Sequence, residues 1–420
     1  MKSLTFLVGC ITLAGALSTC GALVSAENEP YWPRFHGPKE DNISTDTGLL
    51  RQWPDDGPPL AWTAEGMGIG FAGVTLAHGL VYTAGNVDGE MKISALDLNG
   101  RVRWQAANGK ACDVQYEGSR GTPTIDGDRL YHESPTGQLG CFDARTGKPI
   151  WTLNILDEFK GKLPRWALAE SVLIDGDRVI CCPGGPETAV VALDKMTGQT
   201  VWKSPSADGD PIGYASPAVI EYNGLRMILT MTNQALIGVN ADNGDLLFRF
   251  AHPTRWEVTA LMPVFHDGHI FISSGYGTSG SVLLKLNVDG QKADVEEVWR
   301  SKDLDNHHGG VVLLDGYVYG AGHQSGKGKW VCLDWTTGKT MWAEKGIGKG
   351  SLTCADGLLF TMNERRKVGL VRATPDKYDL ISEFMLPNKG KKATWAHPVV
   401  CGGRLYLRHG DFLFAYDVAR

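Results

Sequence analysis

The side chains that could do chemistry in this 420-residue chain fall in small groups along its length: Ser119-Arg120, Trp166 with Glu170, Tyr214, Trp256-Glu257, Asp305-Asn306-His307-His308, and Trp395 with His397. Carboxylates such as Glu170 and Glu257, with the amide oxygen of Asn306, would suit Ca²⁺, a hard cation that takes oxygen ligands. The His307-His308 pair would suit zinc or copper better. Polar groups converging over Trp166, Tyr214, Trp256 and Trp395 would instead form a funnel for a small molecule. The plainer reading is that all of them hydrogen-bond turns and close a channel. Only a fold that gathers distant positions could give them a joint role.

Other motifs remove chemistries from consideration. Gly275-Tyr276-Gly277-Thr278-Ser279-Gly280 matches G-x-G-x-x-G, but strand-like residues flank it on both sides, so no helix N-terminus awaits a pyrophosphate. Gly346-Ile347-Gly348-Lys349-Gly350-Ser351 lacks the spacing of a phosphate-binding loop, because Gly350 intrudes before Ser351. Neither G-x-S-x-G nor H-E-x-x-H occurs, and no C-x-x-C supports a zinc ribbon, thioredoxin chemistry or haem attachment. Beyond Cys10 and Cys20 the chain has seven cysteines, an odd number, so at least one stays free or pairs between chains. Most read as small buried hydrophobes.

What must position the dispersed groups is a repeat. Ala95-Leu96-Asp97 leads through Gly100 to Trp104, Cys141-Phe142-Asp143 through Gly147 to Trp151, and Ala192-Leu193-Asp194 through Gly198 to Trp202. Val239-Asn240 leads through Gly244 to Phe248, Leu286-Asn287 through Gly290 to Trp299, and Cys332-Leu333-Asp334 through Gly338 to Trp342; a degenerate copy ends near Phe384. Between these lie eight tight turns, from His78-Gly79 to Gly402-Gly403, with glycines 41 to 49 residues apart. Gly, Asn and Asp tolerate the positive φ of hairpin turns, and the apolar runs beside them are strand-like. Four antiparallel strands per period of about 45 residues describe one propeller blade.

The eighth copy ends at Tyr416-Asp417 without its Trp strand, while Leu60-Ala61-Trp62 is a Trp strand without a blade. The expected fold is therefore all-β: an eight-bladed propeller of four-stranded antiparallel blades, closed by the N-terminal strand joining the C-terminal blade. In this register the dispersed groups sit just before the innermost strands, around the axis at one mouth. The repeat Trp residues read as wedges between blades. Residues 59–420 then make one domain, preceded by a signal peptide (1–26) and a lead segment (27–58) that packs on the ring.

Composition agrees. The 53 glycines exceed average usage without a collagen period, and 43% hydrophobic residues rule out disorder as the main state. A net charge of −6 with no basic stripe argues against nucleic acid as a partner. Lys2, the apolar stretch from Leu4 to Leu17 and Val24-Ser25-Ala26 predict a secretory signal cleaved after Ala26; the alternative is lipid attachment at Cys20. No later stretch is long and apolar enough to span a bilayer. The expectation is an exported protein, periplasmic or secreted, or one tethered by a lipid.

The repeat Ala-Leu-Asp-x-x-Thr-Gly-x-x-x-Trp resembles that of pyrroloquinoline-quinone (PQQ) enzymes and their non-enzymatic relatives, over roughly residues 59–420. Trp32-Pro33-Arg34-Phe35-His36-Gly37-Pro38 and Gly57-Pro58-Pro59 in the lead segment are similar to secreted PQQ-like propellers of planctomycete-type bacteria. The resemblance implies a quinone over the axis beside Ca²⁺ and a catalytic Asp, but no residue here matches that Asp by motif. It also suggests a vicinal disulfide for Cys181-Cys182. These cysteines lie on a predicted strand, where neighbours point to opposite faces, and a vicinal disulfide would break it. Three functions follow as expectations: a binding or scaffold module with a ligand or metal site at the channel mouth; a PQQ- and calcium-dependent alcohol dehydrogenase; or a lipoprotein of outer-membrane protein assembly.

Overall fold

Alternation of apolar and turn-forming segments produces eight successive four-stranded antiparallel sheets: 75–110, 124–154, 173–203, 218–251, 264–301, 306–344, 350–385, and a last sheet built from Val399–Cys401, Arg404–His409, Phe412–Asp417 and Leu60–Ala64. We number them blades 1 to 8. The computed structural model describes Met1 and residues 29–276, 279–323, 328–390 and 392–420; the predicted cleavage site and Cys20 lie outside the described residues. Leu60–Ala64 pairs antiparallel with Phe412–Asp417, Trp62 opposite Ala415, so the N-terminal strand is the outer strand of blade 8. The first strands of neighbouring blades pack on one another around the axis. One short helix among the described residues, Ile155–Phe159, was not expected; Asn154 caps it by accepting from the Leu156 and Asp157 amides. The seven cysteines 112, 141, 181, 182, 332, 354 and 401 are free thiols, all buried.

The repeat has a physical reason. Asp143, Asp194 and Asp334 each accept from the backbone N–H and hydroxyl of the Thr three residues on, which fixes the turn. The glycine that follows adopts positive φ and lies flat on the Trp of the preceding blade: Gly100 on Trp62, Gly147 on Trp104, Gly198 on Trp151, Gly244 on Trp202, Gly338 on Trp299. The indole N–H of four of these Trp residues donates to a carbonyl in the same turn, as Trp151 does to Lys195 at 3.1 Å and Trp299 to Trp335 at 2.9 Å. At these five places the repeat docks one blade on the next, whereas a Cβ on Gly290 of blade 5 would meet nothing within 4 Å. Blade 8 has no such turn of its own, since its outer strand comes from the other end of the chain. Gly57 of the lead segment (φ +93°) supplies it by lying on Phe384 of blade 7.

Gly147→Ala should therefore cost about 3 kcal/mol, because the new Cβ would lie 2.4 Å from Trp104 and φ is +70°. Gly176→Ala shares a positive φ (+59°) but meets open space, and should cost only about 1 kcal/mol. Urea unfolding of the two variants separates blade docking from backbone strain; equal losses would contradict the docking role.

The lead segment crosses the ring. Trp32 exchanges backbone hydrogen bonds with Leu76 of blade 1 (2.9 and 2.8 Å), and the Pro33 carbonyl accepts from Ile125 of blade 2 at 2.7 Å. Ile43–Ser44 pairs in parallel with the first strand of blade 7, Gly350–Ala355, as a fifth strand. Leu50 then bonds Val418 beyond blade 8. This strap ties four blades, two on each side of the seam between blades 8 and 1. Arg408, fully buried at that seam, adds the groups described below.

Candidate functional site

Every blade sends the residues before or at the start of its first strand to one mouth of the ring, where they enclose a cavity of about 360 Å³. Blade 1 contributes Phe71 and Gly73, blade 2 Arg120 and Thr122, blade 3 Trp166 and Ser171, and blade 4 Tyr214 and Ser216. Blade 5 contributes Val258 and Ala260, blade 6 His307 and His308, blade 7 Lys349, and blade 8 Trp395 and His397. Of the thirteen residues singled out from sequence for this mouth, seven line the cavity: Arg120, Trp166, Tyr214, His307, His308, Trp395 and His397.

The other six, Ser119, Glu170, Trp256, Glu257, Asp305 and Asn306, do not. Glu170 is buried behind the wall, its carboxylate accepting from the Cys182 amide at 2.9 Å. Trp256 is exposed on the rim, with Glu257 beside it in a left-handed backbone conformation (φ +60°). Nor are Glu170, Glu257 and Asn306 gathered as a calcium set. The Asn306 Nδ2 donates to the Gly310 and Ala321 carbonyls, and among the described residues no group of three His, Cys, Asp or Glu side chains is placed to hold a metal ion. The reason is that Glu170 turns into the interface between blades 2 and 3, where it meets Glu133. Burial and this like-charged neighbour raise the Glu133 carboxyl well above its ordinary range, and burial raises Glu170.

Several lining residues were not read from sequence: Phe35, Tyr116, Tyr276, His323 and Glu364. Tyr276, His323 and Glu364 lie in the connections between second and third strands. In an up-and-down blade that connection returns to the face where the first strand begins, so topology could have pointed to it. Phe35 comes from the strap and forms the floor. Behind it a void of about 10 Å³, bordered also by Gly73, Thr122 and His397, continues toward Trp32 and Asn42.

One wall is aromatic. Phe71 packs on Trp395 (ring centroids 4.6 Å apart), Trp395 on Tyr116 (4.9 Å), and Tyr116 on Trp166 (5.8 Å). Adjoining it through Trp395 is a polar cluster around Glu364, whose Oε1 accepts from Lys349 Nζ at 2.9 Å, His308 Nε2 at 3.0 Å and Trp395 Nε1 at 3.0 Å. Burial alone would raise that carboxyl, but the bond from His308 and the ammonium of Lys349 bring it down to about 2. Lys349 also donates to His307 Nδ1 at 3.0 Å. Burial lowers the lysine and outweighs the opposing pull of Glu364.

The imidazoles are neutral. His397 Nε2 lies 2.7 Å from the His308 carbonyl, which can only accept, so its proton is on Nε2 and Nδ1 accepts from His36 Nε2 at 3.2 Å. Burial, chiefly, lowers His397 to about 4 and His36 and His307 well below the ordinary imidazole range. Arg120 is the surplus charge of the cavity. Its guanidinium donates to the Gly118, Gln115 and Tyr116 carbonyls and to Cys112 Sγ, with no carboxylate within 4.0 Å among the described residues. Burial lowers it below the usual arginine range.

These features define a closed eight-bladed propeller with an axial pocket, aromatic on one side and cationic at one point. The chain belongs to the PQQ-repeat propeller family whose profile, described as outer membrane protein assembly factor BamB, matches residues 89–344. It is 26% identical over 166 residues to the quinohemoprotein alcohol dehydrogenase ADH IIB of Pseudomonas putida, a match covering 36% of this chain and 23% of that enzyme. Its fold is similar to that of BamB from Moraxella catarrhalis, with a TM-score of 0.57 at 17% identity over 82% of this chain and 94% of that one. It is also similar to a quinohemoprotein alcohol dehydrogenase from Comamonas testosteroni, with a TM-score of 0.62 at 13% identity over 92% and 80%.

Proposed function

We propose that this protein is an exported binding propeller whose axial pocket takes a small anionic molecule with a flat ring face. The observation that supports it most is the half-buried Arg120, without an acid partner among the described residues, in a cavity of about 360 Å³ walled by stacked aromatic rings. A ring would slide along Trp395 and Tyr116, and its anionic group would meet the uncompensated guanidinium. Neutral histidines and hydroxyls from Ser171, Ser216 and Tyr214 supply orienting hydrogen bonds. Export rests on the N-terminal sequence alone. No helix among the described residues is long and apolar enough to cross a membrane.

The dehydrogenase reading needs calcium at this mouth, and the donor set does not fit it. Among the described residues Glu364 is the one carboxylate that lines the cavity; its Oε1 already accepts three hydrogen bonds, and the Lys349 ammonium 2.9 Å away would repel a divalent cation. No oxidation step is therefore derived for these residues. Calorimetric titration with naphthoate, the neutral naphthylmethanol and the cationic naphthylmethylamine tests the proposal. Only naphthoate should bind well, and Arg120→Gln or Trp395→Leu should each weaken it about tenfold, with Arg120→Lys recovering part. Equal binding of all three probes would contradict it.

A further inference from the structure

The aromatic wall does not stop at the mouth. Trp166, the last ring of the cavity wall, is covered by the Arg165 guanidinium at 4.7 Å from its ring centroid. Arg165 also lies 5.8 Å from the ring of Trp256, and Arg255 lies 5.2 Å from that same ring. The result is one ladder, Trp166–Arg165–Trp256–Arg255, that leads from inside the pocket over its rim. Two loops build it, each just before the first strand of its blade (3 and 5).

Three properties distinguish this ladder from an ordinary polar rim. Trp256 is 43% exposed, one of the large apolar side chains left open to solvent. Both arginines are exposed, yet neither has a carboxylate within 4.0 Å among the described residues, in a chain of net charge −6 whose other surface arginines mostly do. Glu257, the neighbouring carboxylate, is exposed and forms no such pair. A guanidinium stacked on indole is held in one plane at little further entropic cost, and its N–H edge stays free for a bidentate anion.

We infer that Arg165 and Arg255 form a second anion subsite at the rim, so that the ligand carries two anionic groups, one inside the pocket and one at its far end. This rests on the proposed function above and names its ligand class: an elongated, ring-bearing dianion. Arg120 faces the inner charge, the track of Trp395, Tyr116 and Trp166 covers the ring body, and the rim arginines take the outer charge.

The test is a titration of the full protein with naphthalene, biphenyl and terphenyl monocarboxylates. Each is compared with the dicarboxylate bearing its second group at the opposite end, and biphenyl disulfonate serves as a sulfate-type arm. At least one dianion should bind about tenfold more tightly than its monoanion. Arg165→Gln with Arg255→Gln should abolish that gain and leave monocarboxylate binding unchanged; both positions are exposed, so folding should be unaffected. Trp256→Leu, which removes the stack but keeps the charges, should lose part of the gain. A gain with the disulfonate alone would assign a sulfate-type group, and one with dicarboxylates alone a carboxylate. If monocarboxylates bind but no dianion gains, or if the gain survives the double substitution, the rim subsite is refuted and the pocket reading stands. If no monocarboxylate binds, the pocket reading itself fails.

Discussion

Arg408→Met is expected to lower the stability of the ring by about 4 kcal/mol, with Arg408→Lys intermediate. Arg408 sits on Arg404–His409 of blade 8 and is 2% exposed. Its Nη1 donates to the Thr83 hydroxyl and the Ala84 carbonyl, both at 2.6 Å, and to Ala72 at 3.2 Å. Nη2 reaches the Gly68 carbonyl at 2.9 Å and Met67 at 3.2 Å, and Nε the Gly410 carbonyl at 3.1 Å. All but Gly410 belong to blade 1 or to the segment that enters it, so one guanidinium satisfies both sides of the seam. Methionine would fill part of the volume and leave buried carbonyls unpaired, each costing about 1–3 kcal/mol, offset in part by relief from burying a charge. Lysine keeps a charge but cannot address six acceptors from a planar fork. Urea unfolding gives the loss, and hydrogen exchange should place it first in blades 8 and 1. A loss under 1 kcal/mol for the methionine variant would show that the seam is held otherwise.

The second large effect is with pH. Burial lowers His132, His252, His323 and His397 to about 4, and His36, His307, His308 and His409 are lowered as well. The unfolded chain takes up protons on these imidazoles as pH falls below their ordinary 6.5, whereas the folded ring does not until about 4. Stability is therefore full above 6.5 and falls steadily between 6.5 and 4. His132 and His397 alone contribute about 3 kcal/mol each to that fall. His132 is locked neutral between Asn108 Nδ2 (3.0 Å) and Ser119 Oγ (3.2 Å), and His397 between His36 and the His308 carbonyl. Glu133 and Glu170 act in the opposite sense. Their raised carboxyls contribute stability that is present below about 4.5 and lost as pH rises. With four raised carboxyls (Glu40 and Asp41 besides these two) against eight lowered imidazoles, the acid limb should dominate a profile of urea midpoints from pH 4 to 8. A flat profile over that range would contradict the neutral histidines.

The repeat made the ring legible because most copies encode a local event, an Asp- or Asn-capped turn whose glycine lies on the previous blade's indole. Ring closure was legible for the same reason: a Trp strand without a blade at one end matched a blade without a Trp strand at the other. The site was legible only where it follows the repeat register. Arg120, Tyr214 and His397 were found as residues that precede first strands, but Glu364, His323 and Tyr276 lie in connections where the repeat has no fixed residue. Glu170 was misjudged because alternation along an irregular approach to a strand does not say which interface a side chain enters. That a lead segment packs on the ring was expected, but its path and the role of Arg408 were not legible, for a different reason. Phe35 meets His397, and Arg408 meets Gly68, across more than 300 residues, and no local pattern specifies such contacts.

The central claim is that the axial pocket holds an anion against Arg120 with a ring on the aromatic wall. A crystal structure of the protein with naphthoate tests it most directly. The account predicts the carboxylate within hydrogen-bond distance of the Arg120 guanidinium and the ring stacked beside Trp395 and Tyr116. Naphthoate bound outside the cavity, or inside it with its carboxylate turned away from Arg120, would contradict the account.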